Sequence, residues 1–316
     1  MIAGPSTIRV ANAPCSWGVL EGAIGDVGAG RDGGDGVTRT SPRQVLKEMA
    51  GAGYAGTELG DLGFLPDTPE ALEAEIDRSG LALVAAFVPV ALSRVGSLDE
   101  GTGRAVRTAR LLAAAAGADA LIVLSDDNAS VPHRTLHAGR ITPQDGLGAT
   151  EWERFARGAE HIACHVRDAT GLRTCFHHHC AGYVETTDEL EALMSRTDPT
   201  ALGLCLDTGH LVFAGGNPVD AIRRYRDRLW HVHFKDCDPD VARRAAAEGW
   251  DYHTSVRHGI FCELGRGAVP FRDIVDELRI AHYTGWIVVE QDVLPGLGTP
   301  AESARRNRDF LRTLDL

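Results

Sequence analysis

The segment Leu202-Gly-Leu-Cys-Leu-Asp207-Thr-Gly-His210 runs from five uncharged, mostly apolar residues straight into an acid, a hydroxyl, a glycine and an imidazole. A short apolar run cut off by a turn is the pattern of a strand buried on both faces, as in a parallel sheet. The chain repeats it on either side. Arg173-Thr-Cys-Phe-His177-His178-His179 ends in three histidines, Trp230-His231-Val-His233-Phe-Lys235-Asp236 in two histidines, a lysine and an acid, and Ile287-Val-Val-Glu290 in a carboxylate. Four consecutive strand candidates therefore carry imidazole or carboxylate at their C-terminal ends. That donor set suits Mn, Co, Fe or Zn, and the lack of a cysteine pair at these ends argues against a closed thiolate site.

Outward from this segment, apolar or β-branched runs alternate with amphipathic helical stretches, which predicts βα units around a parallel sheet. Strands are expected at 8–13, 56–59, 82–87, 120–124, 173–177, 202–206, 230–234 and 286–289. Helices are expected at 42–52, 68–79, 101–116, 151–170, 187–196, 218–226 and 271–279. Eight such strands in 316 residues, 44% of them hydrophobic, predict an α/β fold: one (β/α)8 TIM barrel domain over 1–316. Thr68 and Thr187 offer hydroxyl caps followed by carboxylates, and Gly53, Gly80, Gly117 and Gly171 mark helix ends. The stretches 22–36 and 126–148 read as long loops after the first and fourth strands. A long insertion, 236–267, follows strand 7 and contains a helix near 241–248. It reads either as a lid over the substrate, directly or across a subunit interface, or as a tolerated surface excursion.

The formal net charge of −12 opposes a nucleic-acid partner, because phosphate-backbone binding needs clustered Lys and Arg. No stretch approaches the ~20 apolar residues that span a bilayer, and the start lacks a basic segment followed by an apolar one, so no membrane partner and a cytoplasmic location are expected. Seven cysteines without Cys-x-x-Cys spacing fit reduced thiols, and Cys164 and Cys205 read as small core residues. Homo-oligomerisation is left open.

Taken singly, each polar residue has a structural explanation. Asp207-Thr-Gly suits a helix cap. His231 and His233 lie on the same side of their strand, where either suits a satisfied core histidine. Glu58 could bond only to its neighbours, although the C-terminal ends of barrel strands are where chemistry collects. The period of two puts His177 and His179 on one face and His178 on the other, so His178 reads as structural. Taken together, the strand ends favour a metal.

The segments Asn12-Ala-Pro-Cys-Ser-Trp-Gly18, Gly56-Thr-Glu58-Leu-Gly60, Asp207-Thr-Gly-His210, His231-Val-His233-Phe-Lys235-Asp236 and Val289-Glu290 together resemble the xylose isomerase-like barrel superfamily of sugar isomerases, epimerases and dehydratases. Within it the likeness is to the inosose dehydratases, the 2-keto-myo-inositol dehydratases of inositol catabolism. It is carried by the Asn12–Gly18 opening, by Thr57-Glu58-Leu-Gly60 with Gly63-Phe-Leu-Pro66, and by His177-x-His179 with Val184-Glu185-Thr186.

The resemblance implies metal ligation by Asp207, His233 and Glu290. The fourth ligand would be His177, where most of the superfamily has glutamate, or Glu185 returning from the following loop. Asn12, Trp17, Glu58, His210 and Lys235 would then surround the substrate, and Glu58, His179, His210, His231 and Lys235 are the candidate acids and bases. The implied activity is a metal-dependent hydro-lyase acting on a keto-cyclitol such as 2-keto-myo-inositol, with Mn2+ or Co2+ favoured over Zn2+, Fe2+ or Mg2+. The alternative is a ketose epimerase or isomerase working through the same enediolate, and the reading from another class is a non-catalytic sugar-binding barrel. In each case the partner is a small sugar or cyclitol.

Overall fold

The computed structural model describes residues 8–18, 40–116, 119–291 and 298–316; the expected loop at 22–36 and the helix end at Gly117 lie outside them. The strands are β1 (Arg9–Asn12), β2 (Gly56–Glu58), β3 (Ala82–Val90), β4 (Leu121–Asp126), β5 (Arg173–His177), β6 (Leu202–Asp207), β7 (Leu229–Phe234), β8 (Asp236–Cys237), β9 (Phe261–Cys262) and β10 (Trp286–Val289). The helices are α1 (Pro42–Ala52), α2 (Pro69–Ser79), α3 (Leu98–Ala115), α4 (Pro132–Leu136), α5 (Ala149–Thr170), α6 (Thr187–Met194), α7 (Thr208–Phe213), α8 (Pro218–Tyr225), α9 (Pro239–Glu248), α10 (Tyr252–Arg257), α11 (Phe271–Ile280) and α12 (Pro300–Arg312). Eight of the strands close into a barrel in the order β1-β10-β7-β6-β5-β4-β3-β2, every pair parallel. This is the (β/α)8 barrel expected from the alternating pattern.

Side-chain alternation sorts each strand into two cores. Ile122, Leu124, Leu202, Leu204, Leu206, Ile287 and Val289 point outward and pack with Leu46, Met49, Leu112, Ile162, Ile222 and Ile274 of the surrounding helices. Full burial of each such side chain contributes roughly 1.5–3 kcal/mol. Ala11, Ala13, Leu121, Val123, Cys175, Cys205 and Val288 point inward and fill the barrel. Gly203 belongs to this inner face, where the Trp230 ring occupies the space that a Cβ would need. Cys205 is a core residue as expected, but Cys164 is only partly buried on α5, beside the Arg167 guanidinium.

Local signals set most element ends. Gly53, Gly80 and Gly171 end α1, α2 and α5 with positive φ. The α6 cap is Thr186, one residue before the expected Thr187, because Thr186 forms a reciprocal capping box with Glu189. Thr68 precedes α2 without a side-chain bond to it. The stretch 126–148, expected as loop, contains α4 and a 3-10 turn at Pro143–Asp145. Buried Arg134 holds it in place, donating to Gly182 O at 2.7 Å and through both Nη atoms to Glu189 at 2.8 and 2.7 Å. Between β7 and α11, the chain forms the antiparallel β8–β9 pair and helices α9 and α10. The Asp236 carboxylate anchors this excursion, accepting the backbone amides of Cys237, Gly265, Gly267 and Val269 at 2.8–3.1 Å.

Candidate active site

The inward parity that fills the barrel with Cys175, Cys205 and Val288 continues two residues later into His177, Asp207 and Glu290. On β7 the inward residues His231, His233 and Lys235 follow the same rule. Ladder register then sets Asp207 beside His233 and His177 beside Cys205. One donor atom each from His177, Asp207, His233 and Glu290 lies within 4.8 Å of the others, so this group can hold a metal ion. His177 Nε2 is 3.6 Å from Asp207 Oδ2, and His233 Nδ1 is 3.1 Å from Glu290 Oε1. Both ring nitrogens of His177 and Asp207 Oδ2 are buried without a hydrogen-bond partner among the described residues. Buried polar atoms normally find partners, so these orphaned donors fit a bound cation.

The helix-cap and site readings of Asp207-Thr-Gly coexist. Asp207 Oδ1 caps α7 by accepting the His210 amide at 2.8 Å, which leaves Oδ2 for the site. The Thr208 hydroxyl donates to Lys235 O at 2.7 Å and accepts Lys235 N at 3.0 Å, tying the α7 start to the end of β7. Gly209 lets Lys235 pack against that turn, since a Cβ there would meet the Lys235 side chain and backbone within 3 Å.

Ionised groups inside the barrel are paired with opposite charges. Burial favours neutral His233, but Glu290 and Glu58 outweigh it and raise the imidazole well above its ordinary range. Burial favours the neutral acid at Glu290, yet His233 and Lys235 hold it well below the usual carboxylate range. Lys235 Nζ is 3.1 Å from Glu290 Oε2 and lies over the Phe261 ring. Asp207 is likewise lowered, with His177 and Lys235 overcoming burial. Glu58 is held at about 2: burial opposes ionisation, and His233 and His231 override it. Its Oε1 accepts from His231 Nε2 at 2.8 Å and His233 Nε2 at 2.9 Å.

Three further imidazoles are kept neutral by burial. His178 accepts the Asp207 amide on Nε2 at 3.1 Å and is pushed down to about 3 by burial and by His177. The His179 and His210 rings lie in contact, tilted by 39°, with centroids 3.8 Å apart. Burial and His177 lower His179 to about 3, and burial, then His179 and Lys235, lower His210 well below its ordinary value. Tyr252 of α10 reaches this pair, its hydroxyl 3.4 Å from His179 Nε2, and Phe261 packs edge-on to His210.

Not every expected site residue joins this assembly. Asn12 has the parity of Ile8 and Val10, which face the helices, and its amide lies beside the Tyr54 hydroxyl. Trp17 packs in the same outer core and donates from Nε1 to Glu48 of α1 at 2.7 Å. Glu185, the alternative fourth ligand, accepts the amides of Gly139 and Ala181 at 2.7 and 2.8 Å and is absent from the four-donor group. Phe261 and Thr208 were not singled out from sequence as site residues, whereas Tyr252 lies in the insertion read as a lid over the substrate. Only Thr208, inside Asp-Thr-Gly, carried a local signal; the two aromatics reach the mouth through the chain path after β7.

The model of the xylose isomerase-like TIM barrel family matches residues 46–314. The chain belongs to that family. Among curated relatives it is 32% identical over 306 residues to an inosose dehydratase of Geobacillus kaustophilus, covering 97% of this chain and 94% of the relative. It is also 32% identical over 268 residues to an inosose dehydratase of Lacticaseibacillus casei, covering 85% of this chain and 88% of the relative. Solved family barrels of lower identity share the fold. A probable 3-DHS dehydratase from Bacillus anthracis superposes with a TM-score of 0.67 at 14% identity, covering 96% of this chain and 99% of that one. D-psicose 3-epimerase from Clostridium cellulolyticum gives 0.66 at 16%, covering 97% and 99%. The polar cluster here lies at the C-terminal ends of the strands, the face on which TIM-barrel active sites are built. Among the described residues, no helix is long and apolar enough to cross a membrane.

Proposed function

We propose that this family member is a divalent-metal-dependent hydro-lyase that removes water from a keto-cyclitol such as 2-keto-myo-inositol. The observation that carries the reading is the group His177, Asp207, His233 and Glu290, three of them buried, in a chain aligned over 97% of its length with an inosose dehydratase. These four residues would hold the ion, with Mn2+ or Co2+ favoured for a mixed imidazole and carboxylate set. Bound there, the ion supplies a Lewis acid for a ketone oxygen.

The chain's own groups then handle two protons. Dehydration beside a ketone needs a base for the carbon-bound proton and an acid for the departing hydroxyl. His210 Nδ1 accepts the Cys180 amide at 3.4 Å, which leaves its proton on Nε2, buried and without a hydrogen-bond partner among the described residues. His179 has the opposite tautomer, because Nδ1 faces the Cys180 carbonyl and must donate to it, leaving the lone pair on Nε2. The pair thus presents one acceptor and one donor: His179 would take the carbon-bound proton and return it to the departing hydroxyl, which leaves as water, while neutral His210 donates a hydrogen bond from Nε2 to that oxygen.

Metal-reconstituted protein incubated in D2O with a panel of keto-inositols and ketohexoses tests this reading. Water loss, with the ultraviolet absorbance of an enone or diketone enol, is the expected result. Deuterium returned in the substrate or its isomer, without an unsaturated product, would instead identify a ketose epimerase or isomerase in the same barrel.

A further inference from the structure

Glu58 has the position of a substrate ligand but not the surroundings of one. It ends β2, and both histidines that it contacts lie on β7, three strands away around the closed barrel. Its carboxylate therefore spans the barrel interior. It is 3% exposed, and its Oε1 accepts from His231 Nε2 and His233 Nε2 at once.

The consequence falls on His233. A neutral imidazole carries one N–H, and the nitrogen that carries it is set by the partner of that nitrogen. Without an ion, His233 bridges Glu58 and Glu290 through both nitrogens; an ion held by the four-donor group would take the place of the proton on Nδ1, the nitrogen 3.1 Å from Glu290 Oε1, while Nε2–H stays committed to Glu58. Carboxylates that hold the far nitrogen of a ligating imidazole fix its tautomer and ring orientation and raise its basicity. His231, two residues earlier on the same inward face, donates to the same oxygen and so keeps the carboxylate from turning away.

We propose that Glu58 is a positioning residue for the metal centre: it holds His233 in the tautomer and orientation that present Nδ1 to the ion, and it does not contact substrate. This inference rests on the metal reading given above. It replaces the expected role of Glu58 as a catalytic or substrate-binding group, and it makes His231 a brace for that carboxylate.

The test is a titration of chelator-stripped protein with Mn2+ against a chromophoric competitor, applied to wild type, Glu58→Gln, His231→Asn and Asp207→Asn, with urea unfolding of each metal-free protein alongside. Glu58→Gln keeps one acceptor for His233 but loses the charge, and should bind Mn2+ roughly 10–100-fold more weakly while the metal-free protein stays folded. Its kcat should return to within a few-fold of wild type once Mn2+ saturates. His231→Asn should weaken Mn2+ binding less than Glu58→Gln does, and it decides the matter if Glu58→Gln fails to fold. Wild-type Mn2+ affinity in Glu58→Gln, or a collapsed kcat at full occupancy, overturns the positioning role. Should Asp207→Asn itself bind Mn2+ as tightly as wild type, the metal reading falls, whereas loss there with retention in Glu58→Gln removes only the inference about Glu58.

Discussion

Asp207 and His177 face each other across neighbouring strands, with Oδ2 and Nε2 3.6 Å apart and neither atom hydrogen-bonded. Two buried polar atoms left so close and unpaired are costly unless a third partner satisfies both. Asp207→Ala should therefore abolish bound metal and turnover together, read by elemental analysis and by the dehydration assay. Full metal occupancy in that variant would remove Asp207 from the ligand set. Asp207→Asn keeps an acceptor for the α7 cap, so comparing the two separates the loss of the cap from the loss of the ligand.

The Tyr252 hydroxyl is the contact through which the segment after β7 touches His179. Tyr252→Phe keeps the ring and removes one hydrogen bond, for which about 1 kcal/mol is the usual magnitude. We expect kcat/KM to fall roughly five- to tenfold with metal content unchanged. Unaltered steady-state kinetics would reduce that segment from part of the site to a surface excursion.

Arg134 is wholly buried and bidentate to Glu189, and it also bonds the Gly182 carbonyl. Arg134→Met leaves a carboxylate and a carbonyl buried without their partner, a change of the kind that costs about 3–5 kcal/mol. Urea denaturation should show the loss as a lower midpoint at unchanged slope. A shift worth under about 1 kcal/mol would mean that Glu189 is satisfied by its backbone donors alone.

Asp126, at the end of β4, is raised to about 6 by burial, against the pull of the Tyr183, Asp127 and Leu92 amides. Its folded pKa lies above its unfolded value, so its contribution to stability is present below about pH 4 and is lost as pH rises through 6. At about 1.4 kcal/mol per unit, the loss is at most about 3 kcal/mol. Asp126→Asn cannot ionise, so its melting temperature relative to wild type should climb between pH 4 and 7. A difference independent of pH would show that Asp126 titrates normally. Glu185, raised to about 7 mainly by burial, acts with the same sign.

The barrel was legible because short apolar runs alternating with amphipathic stretches, and helix-end glycines, are local signals, and each βα unit carries its own. Asn12 has the parity of Val10, which faces the helices; the resemblance drew attention to it, and register decides where it points. The pairing of Glu58 with His231, 173 residues away in sequence, had no local signal at all, because barrel closure alone brings β2 and β7 to a common interior. The short helix α10 escaped notice for a related reason. Six residues capped by Asp251 are too few to show a helical repeat, and their tertiary contacts hold them in place.

Asp236 gathers amides from both ends of the segment between β7 and α11. Asp236 thus ties the two ends of this segment together, while Tyr252 and Phe261 within it rest against His179 and His210 at the mouth. Such a joint is a natural crossover point for recombination: related enzymes could exchange what lies between these ends, and with it the aromatic lining of the mouth, while the four-donor group stays in register. Directed evolution of substrate preference in this barrel would do best to randomise that interval and leave Asp236 untouched.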